Sequence, residues 1–386
     1  MSADVEPFAK LAPLMLGEHC VWPPVVLAPM AGVTNAPFRS LCRKFGPDLI
    51  YVNEMVMATG LVHGSHKTET MLKFGPDETF RSLQLYGSDP EMMARAVHKL
   101  GSANAVDHID LNFGCPAAKV TRRGGGAAVP LKRKLLRAIV TQAVEAGKAY
   151  GIPITCKFRM GISDDLITFV ETGLICEDSG AVAVALHART AQQHYAPNAH
   201  WEAIAELKQA VRSIPVLGNG DIWEAADAVH MIEQTNCDGV VIGRGCLGRP
   251  WLFRDLVDAF SGLPVRPTPA LGEVLSVMLE HAAALCVHFA GDRGIRDFRK
   301  HTGWYLTGYP VGGEVRRKFS TVASLDQLRE LAASLDPTLM IVAGGERIPR
   351  GHTNGPIKVV LPEGYLNDLD DMSLPDDADV LTLSGG

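Results

Sequence analysis

The stretch VVLAPMAG, residues 25–32, decides between two folds for this chain. It is a short apolar run that ends in a proline and small residues, as a buried strand does before a tight turn. A doubly wound open sheet would be favoured by a GxGxxG turn after its first strand. Since APMAG stands there instead, the stretch favours a closed barrel.

Seven further apolar runs follow, separated by segments of helix length. They are LIYVNEM (49–55), RSLQLYG (81–87), HIDLNFG (108–114), ITCKFRM (154–160), AVALHAR (183–189), PVLGNGD (215–221) and GVVIGRG (239–245). The segments between them carry apolar residues at three- and four-residue spacing, most clearly PEMMARAVHKL (90–100) and WEAIAELKQAVRSI (201–214). Eight strands alternating with helices within about 235 residues predict an α/β fold, a (β/α)8 TIM barrel.

Composition divides the 386 residues into four predicted parts. Residues 1–22 form an N-terminal extension, and residues 23–262 form the barrel. Residues 263–346 begin with a linker-like segment, SGLPVRPTP (261–269), and continue with helical periodicity and no strand run, which predicts a small all-helical domain. Residues 347–386 are rich in proline, glycine and then acids, which predicts a flexible extension.

The charge of the chain is unevenly distributed. The net charge is −6, but residues 363–386 hold seven acidic residues and no Lys or Arg, so residues 1–362 carry a net charge of +1. The acidic tail therefore does not argue against a nucleic-acid partner. Eight cysteines without a CxxC pair predict neither a metal site nor a disulfide framework. Without an apolar run of about 18 residues or a basic leader, we expect a cytoplasmic protein with no membrane partner.

Polar and reactive side chains stand at the ends of the first six predicted strands. Because barrel enzymes place their reactive groups there, we take these as candidate site residues: Pro29, Met30, Ala31, Gln84, Asn112, Cys115, Lys157, Arg159 and His187. Lys157 and Arg159 are two residues apart on one strand, so both can face the mouth and attract an electron-rich ligand. Taken singly, these residues also have structural interpretations, such as a tight turn, a satisfied core glutamine, or an ion pair with Glu54 or Asp110.

The last two strands end in glycine-rich turns. The candidates there are Asn219, Gly220 and Asp221 after the seventh strand, and Gly243 and Arg244 after the eighth. Barrels commonly bind phosphate at these two loops, where glycines expose backbone N–H groups and an arginine adds charge-assisted hydrogen bonds. The residues therefore predict a flat, electron-rich ligand with a phosphate tail, for which flavin mononucleotide (FMN) is a natural candidate.

A set of motifs in this order resembles one known family. The motifs are APMAGVTNAPFR (28–39), QLYGSDP (84–90), DLNFGCPAAKV (110–120), CKFRMG (156–161), HART (187–190), GNGDI (218–222), IGRGCLGRPWLF (242–253) and RKHTGWYLTGYP (299–310). Over residues 24–320 the chain resembles the tRNA-dihydrouridine synthases, most of all their bacterial B-type branch. The resemblance implies FMN-dependent reduction of a tRNA uridine to 5,6-dihydrouridine, with NADPH or NADH as electron donor.

The resemblance also implies roles for individual residues. The flavin ring would be bordered by Pro29, Met30 and Ala31 and hydrogen-bonded by Gln84 and Lys157. The residues around its ribityl phosphate would be His187, Asn219, Gly220, Asp221, Gly243 and Arg244. Asn112 would orient the uracil, and Cys115 would give a proton to C5 after hydride reaches C6. A thiol with an ordinary pKa of about 8.5 is mostly protonated at neutral pH and can serve as that acid. Arg159 would stabilise negative charge on the substrate.

A basic helical region is the candidate tRNA-binding surface. Residues 293–318 carry a net charge of +5 with interleaved aromatics, which suits contact with RNA backbone and bases. The predicted RNA contacts are Arg299, Lys300, Arg316 and Arg317 here, and Arg122 and Arg123 in the loop beyond Cys115. The alternative interpretation is a solvated helix face over an aromatic core, and we expect Trp304 in particular to be a core residue.

Two other functions fit parts of the sequence. One is an FMN oxidoreductase acting on a free pyrimidine such as dihydroorotate, although such an enzyme does not need a basic helical domain. The other is a barrel without catalytic activity that binds RNA. We expect the protein to be a monomer.

Overall fold

A computed structural model describes residues 11–375 of the chain, except residues 65, 291, 352 and 354. Eight parallel strands close into a barrel, each paired with the next in sequence and the last paired with the first. They are β3 (Val25–Leu27), β4 (Ile50–Met57), β5 (Ser82–Tyr86), β6 (His108–Phe113), β7 (Ile154–Arg159), β8 (Ala183–His187), β9 (Val216–Asn219) and β10 (Gly239–Ile242). The predicted TIM barrel is confirmed, and its first predicted strand is β3.

The barrel is surrounded by ten helices within the described residues. They are α1 (Ala36–Arg43), α2 (Ala58–Val62), α3 (His66–Met71), α4 (Pro90–Ser102), α5 (Ala118–Thr121), α6 (Arg133–Lys148), α7 (Phe169–Asp178), α8 (Trp201–Ala210), α9 (Ala225–Thr235) and α10 (Leu252–Phe260). The start of α4 shows why these segments are helical: Asp89 accepts from the N–H groups of Glu91 and Met92, and Pro90 occupies the first turn. The buried face of α4 then packs on the barrel through Met93 and Val97.

A small hairpin closes the bottom of the barrel. Its strands, β1 (Leu14–Leu16) and β2 (His19–Val21), pair antiparallel. Leu14, Leu16 and Val21 are almost fully buried and pack against the inward-facing side chains of the barrel strands. The second half of the predicted N-terminal extension therefore covers the apolar bottom of the barrel, and residues 1–10 lie outside the described residues.

Within the described residues four helices follow the barrel, where the sequence predicts a helical region. They are α11 (Leu271–His288), α12 (Asp292–Leu306), α13 (Gly313–Ser320) and α14 (Leu325–Ala333), and they share a core of apolar side chains. By length and composition α11 is apolar enough to cross a membrane. Six of its apolar residues, among them Met278 and Leu285, are instead buried in this core.

The described part of the predicted flexible extension lies against the barrel. Tyr365 is only 6% exposed, and it packs with Val359 and Leu361 against residues of the loops after β6 and β7. This packing differs from the flexibility that the composition predicts, because a few apolar anchors are buried among many exposed polar residues. The acids Asp376, Asp377 and Asp379 lie outside the described residues.

Candidate functional site

A cavity of about 650 Å³ opens at the C-terminal ends of the strands, between the barrel mouth and α12. The structure brings most of the predicted site residues together around it: Pro29, Met30, Ala31, Gln84, Asn112, Cys115, Lys157, Arg159, His187, Asn219, Gly220, Asp221, Gly243, Arg244 and Lys300. Arg122, Arg123, Arg299, Arg316 and Arg317 do not line it. Because the strands are parallel, their ends meet at one mouth, and residues far apart in sequence become neighbours.

A chain of hydrogen bonds runs from the barrel interior to the loop after β6. The buried Asp110 accepts from Gln84 Nε2 at 2.7 Å, and Gln84 Oε1 accepts from Asn112 Nδ2 at 2.7 Å. Asn112 Oδ1 then accepts the backbone N–H groups of Gly114 and Cys115, at 3.0 and 2.9 Å. Both ends of the Asn112 amide are therefore engaged, and they fix the loop that carries Cys115.

Arg159 holds the same loop from the other side. Its Nε donates to the carbonyl of Gly114, and its Nη1 donates to the carbonyls of Thr190 and His194, each at 3.0 Å. Burial and neighbouring cations lower the pKa of Arg159 to about 10, so the guanidinium keeps its charge at neutral pH. Arg159 thus joins the loops after β6 and β8 and leaves a positive charge at the cavity.

The Cys115 thiol is half-buried at the cavity. Burial raises its pKa above the usual range, while a backbone hydrogen bond and the charges of Arg159 and Lys119 only partly oppose this. The thiol is therefore protonated at neutral pH. This is the state that a proton donor needs, whereas a nucleophilic cysteine has a lowered pKa.

Lys157 and His187 differ in charge although both are half-buried at the cavity. Lys157 Nζ donates to Asn219 Oδ1 at 3.0 Å, and Asn219 Nδ2 donates in turn to the carbonyl of Val241 at 2.7 Å. Burial, with the nearby charge of Arg159, lowers the pKa of Lys157 to about 8. Burial and the surrounding cations hold the pKa of His187 well below its usual value, so the imidazole is neutral at neutral pH.

Arg244 lies at the phosphate end that the glycine-rich turns predict. Its guanidinium carbon lies 4.5 Å from the ring centroid of Tyr195 and 5.2 Å from that of Trp223. Asp221 accepts two bonds from Arg189 Nη2, at 2.6 and 2.7 Å, and lies 3.6 Å from Arg244 Nη2. Asp221 thus orients two arginines, and the cluster as a whole keeps a positive charge that suits an anion.

The donor groups around the cavity fit a ligand that carries a phosphate. Around one cavity stand Lys157 and Arg244 as cations and His187 as a neutral imidazole. A Cβ built on Gly243 would meet only Asn219 Nδ2, at 3.9 Å, so the backbone there is open to an approaching ligand. Cations, a neutral donor and open backbone fit an anionic ligand with a flat ring.

Several residues of the site are missing from the sequence prediction. They are Met55, Asp110, Tyr195, Trp223 and Trp304, which line the cavity or hydrogen-bond its lining residues. Arg189, which the HxR pattern at the end of the sixth strand places beside His187, also lines the cavity. Trp304 is half-buried: it packs against the barrel core, as predicted, and it also lines the cavity.

The predicted RNA-contact residues are placed in three settings. Lys300 lies at the rim of the cavity, 2.8 Å from Asp297. Arg299 Nε donates to the carbonyl of Val322 at 2.7 Å, and Arg316 Nη2 donates to that of Tyr309 at 2.6 Å, so both join parts of the helical domain. Arg317 is exposed on α13.

The loop arginines lie beyond the cavity. Arg122 is exposed, and Arg123 is half-buried with its carbonyl accepting from Ser88 Oγ at 3.4 Å. Neither residue contributes to the cavity lining. Their contact with RNA backbone stays a prediction.

The sequence was compared with protein families and with curated proteins. The family model "Dihydrouridine synthase (Dus)" matches residues 26–338. A "Probable tRNA-dihydrouridine synthase" of Mycobacterium tuberculosis is 49% identical over 386 residues, covering 98% of this chain and 97% of that protein. A "tRNA-dihydrouridine synthase B" of Pseudomonas aeruginosa is 39% identical over 314 residues, covering 81% of this chain and 92% of that protein.

The fold was also compared with solved structures. The histamine dehydrogenase of Rhizobium sp. 4-9 superposes with a TM-score of 0.52 at 12% sequence identity, over 84% of this chain. This chain spans 64% of the length of that structure. At this identity the likeness concerns the fold alone, and it agrees with the barrel described above.

Proposed function

The chain belongs to the dihydrouridine synthase family, and from that premise we propose that it reduces a uridine of tRNA to 5,6-dihydrouridine. In this proposal FMN is the flavin, and NADPH or NADH is the electron source. One observation carries it: a thiol kept protonated by burial shares a cavity with a cationic, phosphate-type donor set. Both features are needed to reduce a conjugated double bond with a flavin and an acid.

The residues present fit FMN in a defined way. Pro29, Met30 and Ala31 would border the ring, while Gln84 and Lys157 would hydrogen-bond it. The ribityl phosphate would lie near His187, Asn219, Gly220, Gly243 and Arg244. Asp221 would act indirectly, since its carboxylate already binds Arg189 and faces Arg244. When bound, reduced flavin would supply a hydride to C6 of the uracil.

The chain's own residues complete the reaction. Negative charge develops at C5 and O4 of the uracil, and Cys115 Sγ delivers its proton to C5. The charges of Lys157 and Arg159 favour this build-up, because both side chains line the cavity. Asn112 accepts from the N–H and Arg159 donates to the carbonyl of the peptide unit between Gly114 and Cys115, which keeps the thiol in place. Any contact of Asn112 with the uracil would add to that positioning role.

The target base must leave the stacked RNA to enter the cavity. Lys300 and Trp304 lie at the rim, where a cation and an aromatic ring suit an unstacked nucleotide. Arg317 and the other exposed cations of the helical domain would contact the phosphate backbone. The cavity would thus hold the target base while the helical domain contacts the rest of the tRNA, which is a reason for a barrel enzyme to carry a basic helical domain.

Mapping dihydrouridine in tRNA tests this proposal. The tRNA of cells lacking the protein should lose dihydrouridine at one or a few positions, and purified protein with FMN and NADPH should restore it. Free uridine should not be reduced at a comparable rate. An unchanged tRNA pattern would contradict the proposal.

Two other results would favour the alternatives. Equal activity on free uridine and on tRNA would indicate an oxidoreductase of free pyrimidines. A purified protein that cannot be loaded with FMN would indicate an RNA-binding barrel without catalytic activity.

A further inference from the structure

The C-terminal strap, our name for residues 355–375, crosses the mouth side of the barrel. Near its start, the N–H of Ile357 donates to the carbonyl of Gln192 in the loop after β8, at 2.8 Å. Farther along, the hydroxyl of Tyr365 donates to the carbonyl of Gly124 in the loop after β6, at 3.3 Å. The strap thus joins two loops that border the candidate site. It lies beyond residue 338, where the match to the family model ends.

A buried lysine secures the strap to the barrel. Lys132 is only 3% exposed, and its Nζ lies 4.7 Å from the centroid of the Tyr365 ring. It also donates to the carbonyl of Asp368 and lies 3.8 Å from a carboxylate oxygen of Asp371. A cation over an aromatic face, desolvated and paired with a carboxylate, makes a stronger contact than an exposed ion pair. The acids of the strap therefore meet specific cations of the barrel.

A second ion pair supports the first. Lys134 lies 3.3 Å from Asp370, although both side chains are largely exposed. Its contribution is small, because solvent screens exposed pairs. Tyr365 and Lys132 are thus the main anchor of the strap.

The Tyr365 ring lies directly on the turn that supports Cys115. A Cβ built on Gly124 would come within 3.2 Å of this ring, so ring and backbone are in close contact. Two residues on, a Cβ on Gly126 would come within 2.6 Å of the Cys115 carbonyl oxygen. The N–H of Ala127 donates to that same oxygen at 3.1 Å. Tyr365 therefore packs against one side of a tight turn whose other side holds Cys115.

We infer that the C-terminal strap fixes the loop of Cys115, and that Tyr365 is a positioning residue for this thiol. A general acid works only when its proton lies within hydrogen-bond reach of the reacting atom. Loop opening therefore lowers the fraction of molecules in which Cys115 can donate its proton. Asn112 and Arg159 hold the near side of the loop, and Tyr365 covers the far side of its supporting turn. The catalytic meaning of this contact rests on the proposed function, but the contact can be tested without it.

The rate of Cys115 alkylation by iodoacetamide reports on loop opening, because opening exposes a thiol that is half-buried when the loop is closed. In the purified full-length protein, Tyr365→Ala should raise this rate about tenfold, the change that the loss of about 1.4 kcal/mol of local stability produces. The exposed Cys20, on the hairpin at the barrel bottom, serves as the internal standard and should react at an unchanged rate. Peptide mass spectrometry resolves the two sites.

Three further variants sharpen the experiment. Tyr365→Phe keeps the ring over Gly124 and loses only a long hydrogen bond, so its rate should stay within about twofold of the wild type. Leu366→Ala removes an exposed neighbour and should change nothing. Labelling of the buried Cys42 in Tyr365→Ala would indicate global unfolding, and the milder Tyr365→Leu then decides.

Single-turnover reduction of tRNA connects the strap to catalysis. In Tyr365→Ala, tRNA reduction by the pre-reduced enzyme should slow, by less than alkylation quickens because the closed, competent fraction falls by less than the open fraction rises, while reduction of the flavin by NADPH keeps its rate. Tyr365→Phe should restore the tRNA step. Alkylation of Cys115 at the wild-type rate in a folded Tyr365→Ala variant would overturn the strap inference. Faster alkylation in a protein whose wild type forms no dihydrouridine would instead contradict the proposed function.

Discussion

Asn112 shows how one side chain organises the candidate site. Its oxygen accepts two backbone N–H groups of the Cys115 loop, and its nitrogen donates to Gln84, which donates to the buried Asp110. Burial raises the pKa of Asp110, and hydrogen bonds from Thr155 and Gln84 partly oppose this. A buried polar chain of this kind is stable only when each member has its partner. The position of the thiol therefore depends on residues deep inside the barrel.

Replacement of the thiol is the most direct prediction at this scale. Cys115→Ala should lower the rate of dihydrouridine formation by about 10²–10⁴-fold, the usual contribution of a general acid, and leave FMN and tRNA affinity intact. The measurement is the dihydrouridine content of tRNA after timed reaction. Cys20→Ala, on the far side of the barrel, is the matched control. Full activity of Cys115→Ala would exclude the thiol as the acid.

The pH dependence of flavin binding follows from Lys157. Its pKa is lowered to about 8, so the side chain is a cation below that pH and neutral above it. FMN affinity should therefore fall as pH rises through about 8, while Lys157 causes no change between pH 6 and 7, as fluorescence titrations can measure. Lys157→Met should bind weakly without this pH dependence. Riboflavin, which lacks the phosphate, should show the same pH dependence as FMN if Lys157 contacts the ring.

At the scale of elements, the helical domain separates structural cations from exposed ones. The Arg299 side chain connects α12 to the segment before α14 through the carbonyl of Val322, whereas Arg317 extends from α13 into solvent. From net charge alone, both arginines are predicted to contact RNA. The surroundings of the two side chains distinguish them. The Arg299 guanidinium is hydrogen-bonded to a carbonyl and therefore also contributes to the stability of the fold.

This difference can be measured with two substitutions. Arg299→Ala should lower the free energy of unfolding by about 1–3 kcal/mol, since it removes a charge-assisted hydrogen bond. Arg317→Ala should leave unfolding unchanged, weaken tRNA binding, and reduce the slope of log affinity against log salt by about one. Denaturant unfolding and binding titrations at several salt concentrations are the measurements. Equal effects of both variants on unfolding would contradict the assignment.

At the scale of the whole molecule, the barrel and the helical domain are in direct backbone contact. Gly248, after β10, has φ +66°, and a Cβ there would come within 2.4 Å of the backbone of Trp304 in α12. The rings of His281 and His301 in α11 and α12 lie 5.5 and 6.1 Å from that of Phe38 in α1. The cavity is built across this junction, with Lys300 and Trp304 on one side of it.

Gly248→Ala should therefore disturb the junction. We expect a loss of about 1–3 kcal/mol in unfolding free energy, because overpacking against rigid backbone forces a shift. Gly303→Ala is the matched control: it lies in α12 with open space at its Cβ and should stabilise the protein by about 0.5–1 kcal/mol. Thermal unfolding of both variants tests the pair. A stabilising Gly248→Ala would exclude close docking at this point.

The local sequence determined which reactive side chains the site contains and the order of the strands in the barrel. Strand periodicity, the APMAG turn and the glycine-rich ends of β9 and β10 predict the TIM barrel, because such patterns depend on neighbouring residues only. The side chains at strand ends could be assigned to one mouth for the same reason, since parallel strands bring their ends together. Cys115 and Lys157 were identified in this way, and both line the cavity.

Only the tertiary structure decided how these residues are held. Tyr365 meets Gly124 across 241 positions, and Trp304 reaches the cavity from another domain. Local sequence patterns do not encode such contacts, because each contact depends on a few buried side chains. The average composition of a segment does not reveal those side chains. The use of Asn112 to hold the Cys115 loop likewise depends on partners from other strands. The sequence thus determined which groups are present, and packing determined which of them are fixed in place.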